Sequence, residues 1–79
     1  MQKETVSHHF YFIYLRVKKF WYVIQHETYD GSVDKGITWM KNGGVEEAYI
    51  VPNGDICSLL EGRKKLPDVS IAHISRGQL

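Results

Sequence analysis

The stretch 8–27, HHFYFIYLRVKKFWYVIQHE, constrains the fold most, because it is dense in aromatic and β-branched residues and is interrupted by charge. Its only Arg and Lys residues are Arg16, Lys18 and Lys19, and the apolar runs on either side of them hold six and five residues. A membrane-spanning helix needs about 20 nearly uncharged residues. We therefore expect no membrane segment here, and the polar start of the chain does not match a signal peptide.

The residue types of this stretch predict two strands that meet at Lys18 and Lys19. Phe, Tyr, Ile, Val and Trp suit a pleated surface and lose rotamer freedom in a helix. With the turn at this basic pair, Tyr11 would pair with His26. One long bent strand remains as an alternative. A single helix is another, because apolar residues in the stretch also share one helical face.

Turn signals and periodicity divide the rest of the chain. Val33, Ile37 and Met40 recur at helical spacing, which predicts a short helix over 33–41, with Ser32 as its N-cap and Asn42-Gly43-Gly44 as its C-terminal stop. Further strands are predicted at 45–51, 56–60 and 69–75. They are separated by a turn at 52–55 and a polar loop at 61–68.

The resulting order, β-β-α-β-β-β, predicts a small α+β domain of two layers. It has a mostly antiparallel sheet of four to five strands, covered by one short helix. If residues 37–41 instead form a strand in place of the helix, an all-β roll or barrel replaces this fold. Residues 1–79 are predicted to form a single globular domain, with 1–6 and 76–79 frayed.

Acidic residues are concentrated in the middle of the chain, although the formal net charge is only +1. A local negative surface can complement a basic surface on another protein. The predicted partner-binding acidic patch consists of Asp30, Asp34, Glu46, Glu47 and Asp55.

Basic residues form two clusters next to aromatic residues, which suggests an alternative site for single-stranded nucleic acid. Its candidates are Arg16, Lys18, Lys19, Trp21, Tyr22, Arg63, Lys64 and Lys65. Against this alternative, the net charge is nearly zero, and no RNP-type sequence, zinc finger or G-x-x-G loop is present.

The residues that usually carry catalysis or bind metals show no functional spacing. The four histidines lack a His-x-x-x-His pair or clustered carboxylates. Cys57, the single cysteine, lies in the predicted strand at 56–60, where we expect it to be buried and structural. We therefore expect no catalytic, cofactor or metal site and no enzyme activity. A single cysteine also fits a reducing compartment, the cytoplasm.

Composition favours a protein-binding role. The chain has ten Phe, Tyr and Trp residues, more than one small core is expected to bury, and aromatic side chains dominate protein interfaces. We expect a small intracellular inhibitor or regulator that acts by occupying the surface of a partner protein. A sheet edge could also pair with a second copy of the chain.

Overall fold

The computed structural model describes residues 10–78, which form a four-stranded antiparallel sheet, three α-helices and two short 3₁₀ helices, Asn53–Asp55 and Arg76–Gln78. The strands are β1 (Tyr11–Val17), β2 (Phe20–His26), β3 (Glu47–Pro52) and β4 (Ala72–Ser75). The helices are α1 (Tyr29–Gly43), α2 (Ile56–Leu60) and α3 (Leu66–Val69). The spatial order of the strands is β2-β1-β3-β4. The predicted α+β class is confirmed, and the roll or barrel alternative is wrong because the sheet is open.

The aromatic stretch forms the predicted pair of strands. Its turn is at Lys18 and Lys19, and Lys18 has the left-handed φ of 57° that closes the connection. Tyr11 pairs with His26, as predicted, and Val17 pairs with Phe20. The single-helix alternative for this stretch is therefore wrong. We call the end of the sheet that carries this turn the hairpin end, and the opposite end the Tyr11 end.

Helix α1 begins earlier than predicted, and its N-cap is Thr28 rather than Ser32. The Thr28 hydroxyl accepts a hydrogen bond from the Gly31 N–H at 3.0 Å, while the Thr28 N–H donates to Nδ1 of His26 at 3.2 Å. Ser32 is buried in the first turn and donates its hydroxyl to the Thr28 carbonyl at 2.7 Å. The predicted C-terminal stop is confirmed, because Gly44 adopts the left-handed φ of 73° that ends the helix.

The main core lies between α1 and the centre of the sheet. Gly36 permits the close approach of the two layers, since a Cβ there would be 3.3 Å from the Cβ of Ala48. The buried cluster is formed by Ile13, Leu15, Met40, Val45, Ala48 and Ile50. Its strand residues are on the two central strands, β1 and β3, and Ile24 of β2 is partly buried against the cluster.

The chain after β3 differs most from the prediction. Residues 56–60 form helix α2 rather than a strand, because β1 and β4 already occupy both sides of β3. Cys57 is exposed on this helix, so its expected burial is wrong. The predicted strand at 69–75 is shortened to β4, and the predicted loop at 61–68 contains the start of α3.

Helix α3 packs on β3, where two valines outside the main core are buried. Val51 alternates with Ile50 and therefore lies on the sheet face opposite α1, and it is fully buried. Val69 of α3 is also buried. The Tyr11 end of this second face is thus covered by α3, whereas Trp21 and His73, which lie closer to the hairpin end, are exposed.

Residues 76–78, which were predicted to fray, form a short 3₁₀ helix. The Arg76 guanidinium donates to the carbonyl oxygens of Met40 and Val45, at 2.5 and 3.0 Å. Gln78 accepts a hydrogen bond from the Ser75 N–H at 2.9 Å. The Arg76 bonds hold the end of α1 to the chain that follows β4. The predicted frayed residues 1–6 lie outside the described part of the chain.

None of the helices between residues 10 and 78 is long and apolar enough to cross a membrane.

Candidate functional site

Large apolar side chains are exposed on both faces of β2. Four consecutive residues are between 43% and 58% exposed, and they are Phe20, Trp21, Tyr22 and Val23. Trp39 of α1 is 46% exposed and lines a groove together with Tyr22 and Val23. We call these five residues the β2 surface. Exposed apolar side chains clustered along one edge strand mark an interaction site more often than isolated exposed residues do.

The groove next to β2 separates the C-terminal half of α1 from the β1–β2 hairpin. Its volume is about 480 Å³, within the size range of binding pockets, and its lining is apolar. Gly43 allows the Trp39 ring to lie against the end of α1, because a Cβ at Gly43 would lie 2.6 Å from Cε3 of Trp39. The groove is lined by Leu15, Val17, Tyr22, Val23, Ile24, Trp39, Gly43 and Val45.

Within residues 10–78, the backbone of β2 also has an unpaired edge. The carbonyls of Phe10 and Arg16 accept hydrogen bonds from the β3 side of the sheet, from Asn53 and Glu46. Even-numbered β1 residues therefore bond toward β3, and odd-numbered ones bond toward β2. Their partners on β2 are the even-numbered residues 20–26. The N–H and C=O groups of the alternate β2 residues, Trp21, Val23 and Gln25, consequently point away from the sheet.

The two edges of the sheet differ in how well they are protected. Strand β4 has four residues, and the side chain of Gln78 accepts a hydrogen bond from its Ser75 N–H. Strand β2 has seven residues and no Asp, Glu, Lys or Arg. Natural sheets usually protect an edge with short strands, charges or prolines. The β2 edge has none of these three devices and is therefore suited to pairing with another strand.

A charged cluster lies on the sheet face opposite α1, at the hairpin end. Arg16 donates from Nε to Oε2 of Glu47 at 2.7 Å and from a terminal nitrogen to Oε1 of Glu46 at 3.0 Å. The other oxygen of Glu47 is 2.9 Å from Nε2 of His73. The ring of Tyr49 stacks on His73 with centroids 4.2 Å apart, and it lies 6.1 Å from the ring of Trp21. The cluster thus connects all four strands.

The contacts of this cluster change the pKa values of its members. The hydrogen bond from Arg16 holds the pKa of Glu47 below its ordinary value, against the opposing effect of partial burial, and the bond with His73 acts in the same direction as Arg16. The same hydrogen bond raises the pKa of Arg16. Burial raises the pKa of Tyr49, and the charge of Glu47 adds to this rise. Burial also raises the pKa of Tyr14. Glu47 is therefore an ionised structural acceptor.

The predicted acidic patch is divided between the two ends of the sheet. Glu46 and Glu47 lie at the hairpin end and are bound to Arg16. Asp30 follows β2 and Asp55 follows β3, and the last residues of both strands pair with Tyr11. The fifth member, Asp34, is exposed on α1. The fold does not bring the five carboxylates together on one surface.

The two predicted basic clusters join the sheet at opposite ends. Lys18 and Lys19 are exposed at the hairpin end, next to Trp21 and Tyr22. The segment carrying Arg63, Lys64 and Lys65 leaves β3 at the Tyr11 end and returns there, where the Ile71 N–H bonds to Ile50. Within that segment Arg63 forms an ion pair with Glu61. Arg16 is bound to the two glutamates.

Among residues 10–78, no group of three or more His, Cys, Asp or Glu side chains could hold a metal ion. His8 and His9 lie outside the described residues.

Comparison of the chain with protein-family models, curated proteins and solved structures found no match.

Proposed function

We propose that this chain is a small protein-binding domain that acts as an inhibitor or regulator by occupying a partner protein's surface. The β2 surface makes the contact. One observation carries the proposal: an uncharged seven-residue edge strand presents four consecutive exposed large side chains next to an apolar groove.

The geometry of β2 favours an extended segment of the partner as the ligand. Trp21, Val23 and Gln25 offer outward backbone groups, which can form a ladder of hydrogen bonds with an added strand. Side chains of an added strand alternate between the two sheet faces. Those on the α1 face would lie beside the groove. The preferred ligand is therefore an extended segment with apolar residues at alternate positions.

Trp39 is the expected anchor of this contact. It is half exposed in the unbound protein, and the absence of a side chain at Gly43 allows it to lie along the end of α1. Tryptophans in such positions are frequent interface hot spots, and their removal costs about 2 kcal/mol or more. The Trp39→Ala variant should therefore bind at least ~30-fold more weakly.

A displayed library of random peptides tests the proposal. The protein should select peptides with alternating apolar residues, and Trp39→Ala should weaken their binding. The matched control is Leu60→Ala, which removes a more exposed apolar side chain from α2 and should leave binding unchanged. Failure to select any peptide, or equal binding by both variants, would contradict a role for the β2 surface.

Single-stranded nucleic acid is the second candidate ligand. It is favoured by the row of rings formed by Trp21, Tyr49 and His73 on the open sheet face, near Lys18 and Lys19. Bases can stack on such rings. The carboxylates of the charged cluster on this face would repel phosphates. Micromolar binding of labelled DNA or RNA pools that falls steeply with salt would support this candidate, and no binding at low salt would exclude it.

A further inference from the structure

We infer that, in the isolated protein, the strand that pairs with the edge of β2 is the β2 strand of a second copy, in an antiparallel arrangement. This inference rests on the proposed function, since it uses the same strand edge and names its occupant. It joins two four-stranded sheets into one continuous sheet, with a two-fold axis at Val23.

The register follows from the backbone directions. An added antiparallel strand must place outward-facing residues opposite one another. When Val23 faces its own copy, Trp21 faces Gln25 of the second copy, and all seven residues of each strand are paired. The three facing pairs exchange about six backbone hydrogen bonds, since each pair contributes two. A shift by two residues leaves part of each strand unpaired. A shift by one residue places each outward-facing residue opposite a residue whose backbone groups bond toward β1, so the hydrogen bonds between the copies cannot form.

The charges that flank β2 select the same register. Lys19 precedes the strand and Glu27 follows it. With Val23 on the axis, Lys19 in the turn of each copy lies near Glu27 in the bend of the other, so two oppositely charged pairs form. Shifts by two residues in either direction place Lys19 opposite Gln25 or Tyr29 instead, and the charge match is lost. Directly opposed charges of opposite sign stabilise cross-strand pairing.

The side chains of the paired strands are also compatible. On the α1 face, Tyr22 lies opposite Ile24 of the second copy, so two exposed or half-exposed apolar side chains meet. On the other face, Val23 meets its own equivalent. Self-pairing therefore buries apolar surface that the single chain exposes, and it brings no like charges together.

Charge-reversal variants test both the occupant and the register. Sedimentation equilibrium should show the unmodified protein associating with rising concentration toward twice its mass of 9.2 kDa. Lys19→Glu alone and Glu27→Lys alone should each weaken association about tenfold, because two attractive pairs become repulsive. An equimolar mixture of the two variants should associate as well as the unmodified protein, because every pair across the two-fold axis is again of opposite sign.

The control is Lys65→Glu, which makes the same charge change in an exposed loop away from β2 and should leave association unchanged. Circular dichroism should show that all variants are folded. A protein that stays monomeric up to about 1 mM, or a mixture that associates no better than the single variants, overturns the inference. A monomer that still selects peptides through Trp39 overturns only the second copy as occupant. The proposed function itself fails if peptide selection fails.

Discussion

Val23→Lys is expected to weaken strand addition at β2 strongly while leaving the fold intact. Val23 is the central one of the three outward-facing residues, and it is 48% exposed, so the unbound protein can accommodate a charged side chain there. In a complex, the added strand lies next to this position and removes water from it. In the self-paired arrangement, two introduced charges of the same sign would meet across the axis. Lysine on an edge strand is a common natural protection against such pairing.

The expected loss in affinity is about 100-fold or more, which corresponds to roughly 2.8 kcal/mol. Titration of a selected peptide, followed by tryptophan fluorescence, measures it. Ile71→Lys is the matched control, because Ile71 is equally exposed at 49% and lies just before β4 instead of on β2. Equal binding by the two variants would show that the β2 edge is not the contact.

Glu47→Gln is expected to destabilise the fold by about 1–2 kcal/mol, between the values for exposed ion pairs and for charged hydrogen bonds. The Glu47 carboxylate accepts hydrogen bonds from Arg16 and His73 on the two neighbouring strands. An amide has only one acceptor oxygen and no charge, so it cannot replace both contacts. Urea unfolding at neutral pH measures the loss.

The pH dependence of this loss follows from the lowered pKa of Glu47. Because the folded-state pKa lies below the ordinary value of 4.5, the carboxylate's contribution is fully present above pH 4.5. It is lost as the pH falls through the folded-state pKa. The difference in unfolding free energy between the unmodified protein and Glu47→Gln should therefore shrink in acid.

Glu46→Gln is the control for this prediction. Glu46 contacts the same arginine through a single hydrogen bond, and its side chain is 45% exposed against 25% for Glu47. Its replacement should cost less stability. A Glu47→Gln loss that is no larger than that of Glu46→Gln, or one that does not change with pH, would contradict the role assigned to Glu47.

The hairpin could be predicted from sequence because its information is local. Alternating aromatic and β-branched residues on both sides of Lys18 and Lys19 define two strands and fix their register. The end of α1 could also be predicted from local sequence, since only glycine adopts the left-handed conformation of Gly44 easily. The start of α1 was harder to locate, because Thr28 and Ser32 are both good N-caps. The earlier start of α1 at Thr28 is accompanied by a hydrogen bond from the Thr28 N–H to His26, which is the last residue of β2.

The region after β3 could not be predicted because its structure depends on non-local pairing. Residues 56–60 are apolar enough for a strand, but β4 takes the free side of β3. Their spacing, with Ile56, Leu59 and Leu60 three and four residues apart, also fits a helix face, and this signal was missed. The error carried over to Cys57, whose predicted burial depended on the strand assignment.

The candidate site was only partly visible in the sequence. Trp21 and Tyr22 were singled out, although as contacts for bases. Trp39 was missed, because it lies outside the apolar stripe that predicted the helix. The pairing of Arg16 with Glu46 and Glu47 depends on the β1–β3 register, which links residues 30 positions apart. Only a three-dimensional structure reveals that these charges bind one another.

Amide hydrogen exchange followed by NMR is the most direct test of the central claim, that β2 binds by strand addition. The N–H groups of Trp21, Val23 and Gln25 should exchange rapidly in the dilute protein and become protected with saturating selected peptide. Those of Tyr22 and Ile24, which already bond toward β1, should change little. Binding that leaves the three outward amides exchanging at their free rates would contradict strand addition.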